Sequence, residues 1–293
     1  MKGRIWLGWV ALFFAWGFVV HRAALLLHEV GGHGVAATVV GRGFDGFNLT
    51  YFGGGSTRPT PGVHWTAIRR VILDWAGLVV QLGAGAVAMA FQRRPGLTPL
   101  ARLLLALLAT YFLLDGLGYA TSGGFHKVSD PGFTADILDS HGLHVLAWLP
   151  PLVLYAAAAL YEARAIVDAF REHFGSRSRL HLLVQSTTTL GAALLLHLAA
   201  IRVEATLRTN TVTSIAVKVE KLATVFPAIP TFPIRYVILA IGVGAFVLAL
   251  ARPVARAEGT QGWALPPVPR RYAVGVAGAA LVCAVVITVL AHR

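Results

Sequence analysis

Three ionisable side chains lie within six residues of an otherwise apolar run, LLLHEVGGHGVAATVV, at 25–40. His28 and His33 carry imidazole nitrogens, which bind metal ions readily, and Glu29 directly follows the first histidine. An ionisable side chain at the centre of a bilayer costs about 2.5–3.5 kcal/mol on insertion scales, so the group needs a partner. One such partner is a divalent metal ion, bound by neutral imidazoles with Glu29 as a neighbouring base. The other is a polar contact, in which the histidines hydrogen-bond across a helix bundle.

The spacing of the histidines requires a distortion of their helix. In the zinc-protease pattern H-E-x-x-H the histidines are four residues apart, whereas here they are five apart. At about 100° per residue, side chains four apart differ by about 40° around a helix and those five apart by about 140°. A π-bulge absorbs one residue, and Gly31 and Gly32 tolerate the unusual backbone, so we predict a bulge that returns both histidines to one face. The dipeptidyl-peptidase III family binds zinc with H-E-x-x-G-H, a pattern that HEVGGH matches.

The elements that must position these residues are membrane-spanning helices. The chain has 293 residues, of which 56% are hydrophobic and 13% charged, whereas soluble globular proteins carry about 25% charged residues. Several stretches provide the roughly 20 mainly apolar residues that one span requires. We therefore predict an all-α polytopic membrane protein with about seven transmembrane helices. The predicted spans are 5–27 (extending as far as 40), 68–91, 98–121, 143–164, 181–201, 234–251 and 272–291.

The net charge of +12 is explained by membrane topology, and we predict no nucleic-acid partner. The basic residues lie mostly between the predicted spans, and alternate loops are rich in arginine. Under the positive-inside rule this pattern places the N-terminus, with Lys2 and Arg4, in the cytoplasm. We predict an integral protein of the plasma (inner) membrane with this orientation.

A polar, glycine-rich stretch after the first span predicts a short β-strand or hairpin. Apolar and polar residues alternate in FNLTY, at 47–51, and a run of three glycines follows. The segment 122–142 is predicted to be a loop carrying aspartates. The segment 204–233 is predicted to be an extramembrane loop, with a second alternating pattern at 215–220 that is typical of an interfacial strand.

Catalytic zinc usually has three protein ligands and a water molecule, so a third ligand is needed. Two aspartates are candidates, namely Asp115 in YFLLDGLGYATSGG and Asp130 in FHKVSDPG. His126 is a further option. Asp74, inside the second predicted span, is interpreted as a structural partner of Arg70.

At these motifs the chain resembles the site-2 proteases, which are intramembrane zinc metalloproteases. HEVGGHGVAATVVG is similar to their first core helix, LDWAGLVVQLGAGAVA looks like their second, and LLDG is similar to their L-D-G motif, whose aspartate binds the metal. That alignment makes Asp115 the third ligand. In a subgroup with LGY and a following SG, Asp115 would replace an asparagine and Asp130 would be the ligand. The resemblance covers roughly residues 20–140 and implies Zn²⁺ bound by His28, His33 and one of the two aspartates, with Glu29 as general base.

The resemblance also implies a function and a division of the chain. The expected reaction is hydrolysis of peptide bonds in transmembrane or membrane-associated proteins. The substrate would be held by strand addition at Asn48, Leu49, Thr50 and Tyr51, although the strand is equally consistent with an interfacial cap. Residues 1–142 would form a metalloprotease-like membrane core, and residues 143–293 an additional four-span region.

The sequence leaves two other functions open. A catalytically inactive, protease-like scaffold would keep the fold and bind a membrane partner. An ion-coupled transporter is the second alternative, because ionisable groups inside spans also mark ion pathways.

Overall fold

Seven helices in the described part of the chain are long and apolar enough to cross a membrane, as the hydropathy pattern predicts. The computed structural model describes residues 2–41, 44–52, 54–60, 66–175, 178–210, 234–252 and 265–291. Over these residues the fold is all-α, with one two-stranded antiparallel sheet after the first helix. The chain is therefore an integral, multi-pass membrane protein.

The first span is one long helix of mixed type. Helix α1, Lys2–Leu26, continues as the π-helical segment π1, Leu27–Gly34, and ends with a second π-helical segment, π2, Ala37–Gly41. The hairpin strands are β1, Phe44–Leu49, and β2, Gly55–Pro59. The remaining helices are α2 (Ala67–Phe91), α3 (Pro99–His126), α4 (Ser129–Ser140), α5 (Val145–Phe174), α6 (Arg179–Ser186), π3 (Thr187–Gly191), α7 (Ala192–Asn210), α8 (Ile234–Ala251) and α9 (Arg270–Ala291).

The prediction that 122–142 is a loop is wrong. Helix α3 continues to His126 and ends at Lys127, whose φ of 56° is left-handed, and α4 then covers most of the segment. Asp130 and Pro131 lie in the first turn of α4, where a carboxylate interacts favourably with the helix dipole and proline needs no N–H partner. Asp130 is thus carried by a helix and not by an irregular loop.

The segment 204–233 is helical where it is described, because α7 continues to Asn210. The predicted interfacial strand at 215–220 lies outside the described residues.

The hairpin differs in its bounds from the strand predicted at 47–51. Strand β1 ends at Leu49, and Thr50 and Tyr51 belong to the turn, where the Thr50 main-chain N–H and hydroxyl both approach the Gly54 carbonyl oxygen, at 3.3 and 2.9 Å. The strands pair with Phe47 opposite Thr57 and Leu49 opposite Gly55. Phe47 and Leu49 are buried against α1 and α9, so this face of the hairpin is fastened to the bundle.

The main core is formed by α1, α3 and α5, with aromatic and aliphatic side chains such as Trp9, Leu103 and Phe170. Helix α2 packs directly on π1 through two glycines. A Cβ atom at Gly32 would lie 2.3 Å from the Cα atom of Gly77, far below van der Waals contact. The backbones of π1 and α2 therefore touch, and this contact places the histidines of π1 over α2.

Candidate metal centre

The predicted π-bulge is confirmed, since His28 and His33 both lie within the π-helical segment π1. Their rings are buried, with 9% and 7% of each residue exposed, and the ring centroids are 4.7 Å apart. The two Nε2 atoms are 3.1 Å apart. The extra residue in HEVGGH is thus absorbed by the helix, and both imidazoles point to one position.

Asp130 completes a triangle with the two histidines. Its Oδ2 atom lies 3.2 Å from His28 Nε2 and 3.1 Å from His33 Nε2. In a tetrahedral site with metal–ligand bonds of about 2.0–2.1 Å, the ligand atoms are about 3.3 Å apart. The triangle therefore has nearly the size of one face of a tetrahedral zinc site. Among the described residues, these three side chains form a group that can hold a metal ion.

The other predicted ligands do not reach this triangle. Asp115 accepts a hydrogen bond from Gln81 Nε2 at 3.1 Å, and neither it nor His126 belongs to the metal-binding group. Of the two aspartates left open by the sequence, the structure brings Asp130 to the histidines. The expected pair of Arg70 and Asp74 is present, with 2.8 Å between Arg70 Nε and Asp74 Oδ1.

The partners of the two Nδ1 atoms determine which ring nitrogens can bind a metal. His28 Nδ1 donates to Gln81 Oε1 at 3.0 Å, and His33 Nδ1 donates to the main-chain oxygen of Leu73 at 2.7 Å. Because a carbonyl oxygen only accepts, each neutral ring carries its proton on Nδ1 and a lone pair on Nε2. Three electron-rich atoms then converge at 3.1–3.2 Å, an arrangement that is repulsive unless a metal ion or a proton on one Nε2 atom lies among them.

Gly77 of α2 forms the floor of the site. A Cβ atom at this position would lie 2.7 Å from Nε2 of both His28 and His33. Only glycine leaves this space open. The fit to a catalytic zinc ion is good, because two imidazoles and one carboxylate are a common ligand set for hydrolytic zinc.

Asp130 lies outside the membrane-spanning helices and supplies the negative charge. Burial raises the pKa of the Asp130 carboxyl, but hydrogen bonds from His28 and His33, donated when an imidazole is protonated at Nε2, and the charge of that imidazolium outweigh burial. The pKa is therefore held below its usual range, and the group is a carboxylate at neutral pH.

Glu29, the predicted general base, is 6% exposed. The Thr57 hydroxyl of β2 lies 2.9 Å from both the Glu29 Oε2 atom and the Glu29 main-chain oxygen. The hairpin thus fixes the carboxylate beside the two histidines.

Two cavities meet at this site. The larger, of about 280 Å³, is lined by Glu29, His33 and Asp130 together with residues of β2 and α2. The smaller, of about 220 Å³, reaches into the bundle past His28, Gln81 and Asp115. Glu29, Gly55 and Tyr119 line both cavities, so the centre lies where the two spaces adjoin.

The residues predicted to bind substrate are not those that line the larger cavity. Gly55, Ser56 and Thr57 of β2 line it, whereas Asn48, Leu49, Thr50 and Tyr51 are not among its lining residues. Tyr51 instead donates its main-chain N–H to Glu204 of α7 at 2.7 Å. The structure therefore brings β2, the partner of the predicted strand, to the Glu29 carboxylate.

Sequence reasoning missed four residues of the centre: Thr57, Gly77, Gln81 and Tyr119. Tyr119 donates its hydroxyl to Asp130 Oδ2 at 3.1 Å, and it follows Asp115 by four residues, which puts both on one face of α3. Gly77 and Gln81 are also four apart, so a polar and small-residue face of α2 was visible in the sequence. Thr57 has no comparable signal, since its role depends on the fold of the hairpin.

No known protein family, curated protein or solved structure matches this chain. The resemblance to site-2 proteases remains a prediction from motifs.

Proposed function

We propose that this protein is an intramembrane zinc metalloprotease that hydrolyses peptide bonds of membrane-associated proteins. The observation that carries the proposal is the convergence of His28 Nε2, His33 Nε2 and Asp130 Oδ2 within 3.2 Å of one another, beside a buried glutamate. A zinc ion held there would polarise a carbonyl group and lower the pKa of a bound water to about 7.

Glu29 acts in this proposal as general base and then as general acid. Its carboxylate lines both cavities and is oriented by the Thr57 hydroxyl. It accepts the proton of the attacking water and transfers it to the amine of the leaving peptide. The hydrogen bond from Thr57 keeps the carboxylate directed at the cavity that receives the substrate.

The substrate would bind as an extended strand along β2. Within the part of the chain that the structure describes, β2 pairs with β1 only, and residues Gly55–Thr57 line the larger cavity. An exposed strand edge offers main-chain N–H and C=O groups to an incoming peptide. We therefore propose the β2 edge as the substrate site in place of 48–51, with a transmembrane or membrane-associated protein as substrate.

The arginine-rich alternate loops support a cytoplasmic N-terminus in the plasma (inner) membrane. His28 lies 26 residues after Lys2 and 13 before the end of π2 at Gly41, distances of about 39 and 20 Å along a helix. In this orientation the metal centre lies in the half of the membrane away from the cytoplasm.

The first experiment is metal stoichiometry of the detergent-purified protein, measured by mass spectrometry of the metal in wild type and His33→Ala. The expected result is about one zinc per wild-type chain and none in the variant. Cleavage of unfolded casein and of a panel of single-span membrane proteins is then compared between wild type and Glu29→Gln. The proposal expects Glu29→Gln to keep zinc and lose cleavage.

The alternatives give different outcomes in the same experiments. Zinc without cleavage of any panel member would support a metal-containing scaffold. If the protein binds no zinc after supplementation, the protease proposal fails and the histidines form a polar contact between helices. Coupled ion flux in vesicles would then identify a transporter.

A further inference from the structure

Asp115, which is not a ligand in the structure, is linked to the metal centre through one residue. Its Oδ2 atom accepts from Gln81 Nε2 at 3.1 Å, and Gln81 Oε1 accepts from His28 Nδ1 at 3.0 Å. Gln81 is 3% exposed, and its Nε2 atom has a second, longer contact of 3.4 Å with the main-chain oxygen of Phe112. The hydrogen bonds therefore form a chain from α3 through α2 to π1.

The direction of these hydrogen bonds follows from the chemistry of the Asp115 carboxyl group. Asp115 Oδ2 accepts from the NH₂ side of the Gln81 amide, and the ionised carboxylate, which only accepts hydrogen bonds, requires that side. The carbonyl side then faces His28 and can only accept a proton from Nδ1. The lone pair of His28 is thereby left on Nε2, the atom that points at His33 and Asp130.

We propose that Asp115 is a positioning residue, which sets the orientation of the Gln81 amide and through it the tautomer of His28 that can bind a metal. This inference rests on the proposed metal centre and deepens it. It gives a role to an ionisable residue inside a span, which is costly to bury there unless it is used. It also distinguishes aspartate from asparagine at this position, although the two have nearly the same shape.

Asp115→Asn removes the shorter of the two contacts that orient the Gln81 amide without removing volume, and leaves only the contact of 3.4 Å with the Phe112 main-chain oxygen. The asparagine amide can donate to Gln81 Oε1, so Gln81 can turn its NH₂ group towards His28. His28 Nδ1 must then accept, and the ring proton moves to Nε2, where it opposes metal binding. Changes to such outer partners typically lower metal affinity about 10–100-fold.

The test is a zinc affinity measurement on the full-length protein in detergent, by competition with a fluorescent chelator. Four forms are compared: wild type, Asp115→Asn, the swap Gln81→Glu/Asp115→Asn, and Gln81→Met. In the swap, the introduced carboxylate on α2 accepts from His28 Nδ1 and from the introduced amide on α3, so the direction of the chain is restored with acid and amide exchanged. We expect Asp115→Asn and Gln81→Met to bind zinc at least about tenfold more weakly, and the swap to return affinity to within about threefold of wild type.

A matched control is available in the same bundle. Glu162 of α5 is 0% exposed and accepts from Gln92 Nε2 at 3.1 Å, which is the same carboxylate–glutamine pairing away from the centre. Glu162→Gln should leave zinc affinity unchanged, so a general effect of losing an intramembrane carboxylate would be recognised.

The outcomes separate this inference from the proposed function. If the wild type binds no zinc, the metal centre itself is absent and both fail. If the wild type binds zinc and Asp115→Asn binds equally well, or if the swap does not recover affinity, the positioning role is overturned. Should Asp115→Asn fail to fold, Gln81→Met provides the test. Unchanged zinc affinity in that variant would contradict a role for the Asp115–Gln81–His28 hydrogen bonds.

Discussion

The backbone of Gly77 lies so close to His33 that a methyl group on Gly77 would be in contact with the Nε2 atom that we propose binds the metal. A Cβ atom added to Gly77 would be 2.7 Å from His33 Nε2 and equally close to His28 Nε2. The helix–helix contact and the candidate metal centre are thus one structural feature. Glycine at this position serves the chemistry as well as the packing of α2 on π1.

Gly77→Ala should therefore abolish zinc binding while the protein still inserts and folds. The added methyl group would meet the imidazole nitrogens and exclude an ion, and we expect affinity to fall by at least about 100-fold. Metal mass spectrometry after gel filtration measures the effect. Gly83→Ala on the same helix is the control, because a Cβ atom there has no neighbour within 4 Å. Zinc retained by Gly77→Ala at wild-type stoichiometry would contradict the proposed position of the ion.

Asp130→Ala and Asp115→Ala should behave differently, because only Asp130 lies within bonding distance of the centre. We expect Asp130→Ala to contain no zinc after dialysis. Asp115→Ala should still reach about one zinc per chain when zinc is in excess, although with weaker affinity. Zinc titrations of both variants check this expectation, and the opposite pattern would restore Asp115 as the ligand.

Thr57→Val should lower turnover without changing zinc content. The substitution keeps the β-branched shape but removes the hydroxyl that holds the Glu29 carboxylate. A hydrogen bond to a charged group contributes about 1.5–3 kcal/mol, so kcat should fall about 10- to 100-fold. Asn48→Ala is the control, because its side chain is exposed on the other face of the hairpin. Equal loss of activity in both variants would show that the hairpin, and not the Thr57 hydroxyl, is responsible.

Gly32→Ala should destabilise the protein, whereas Gly31→Ala should not. A Cβ atom at Gly32 would lie 2.3 Å from Gly77 Cα, but one at Gly31 would meet only side-chain atoms at 3.6 Å or more. Overpacking of this kind typically costs about 1–3 kcal/mol, and here the clash is with backbone. The midpoint of thermal unfolding in detergent distinguishes the two variants, and a similar midpoint for both would argue against the tight contact of π1 with α2.

Much of the fold follows from properties that are local in the chain. Hydropathy over about 20 residues predicts a span wherever it occurs, and the predicted spans agree with the observed helices, often to within a few residues. The π-bulge was also predictable, because the five-residue histidine spacing and the two glycines within HEVGGH are all contained in one helix. Helix α4 was missed because its short, polar sequence has the composition of a loop.

The ligand set and the residues that support it depend on contacts between distant parts of the chain. The sequence by itself determined a membrane bundle, the HEVGGH helix and two candidate aspartates. The tertiary structure brings Asp130, 97 positions from His33 in the sequence, to the histidines, and it brings Asp115 to Gln81. It also placed Thr57 of β2 on Glu29 and Gly77 beneath the imidazoles. The reason is that hydropathy and helical period act over one or two turns, whereas a metal site requires atoms about 3 Å apart, a distance that only the packing of whole helices can set.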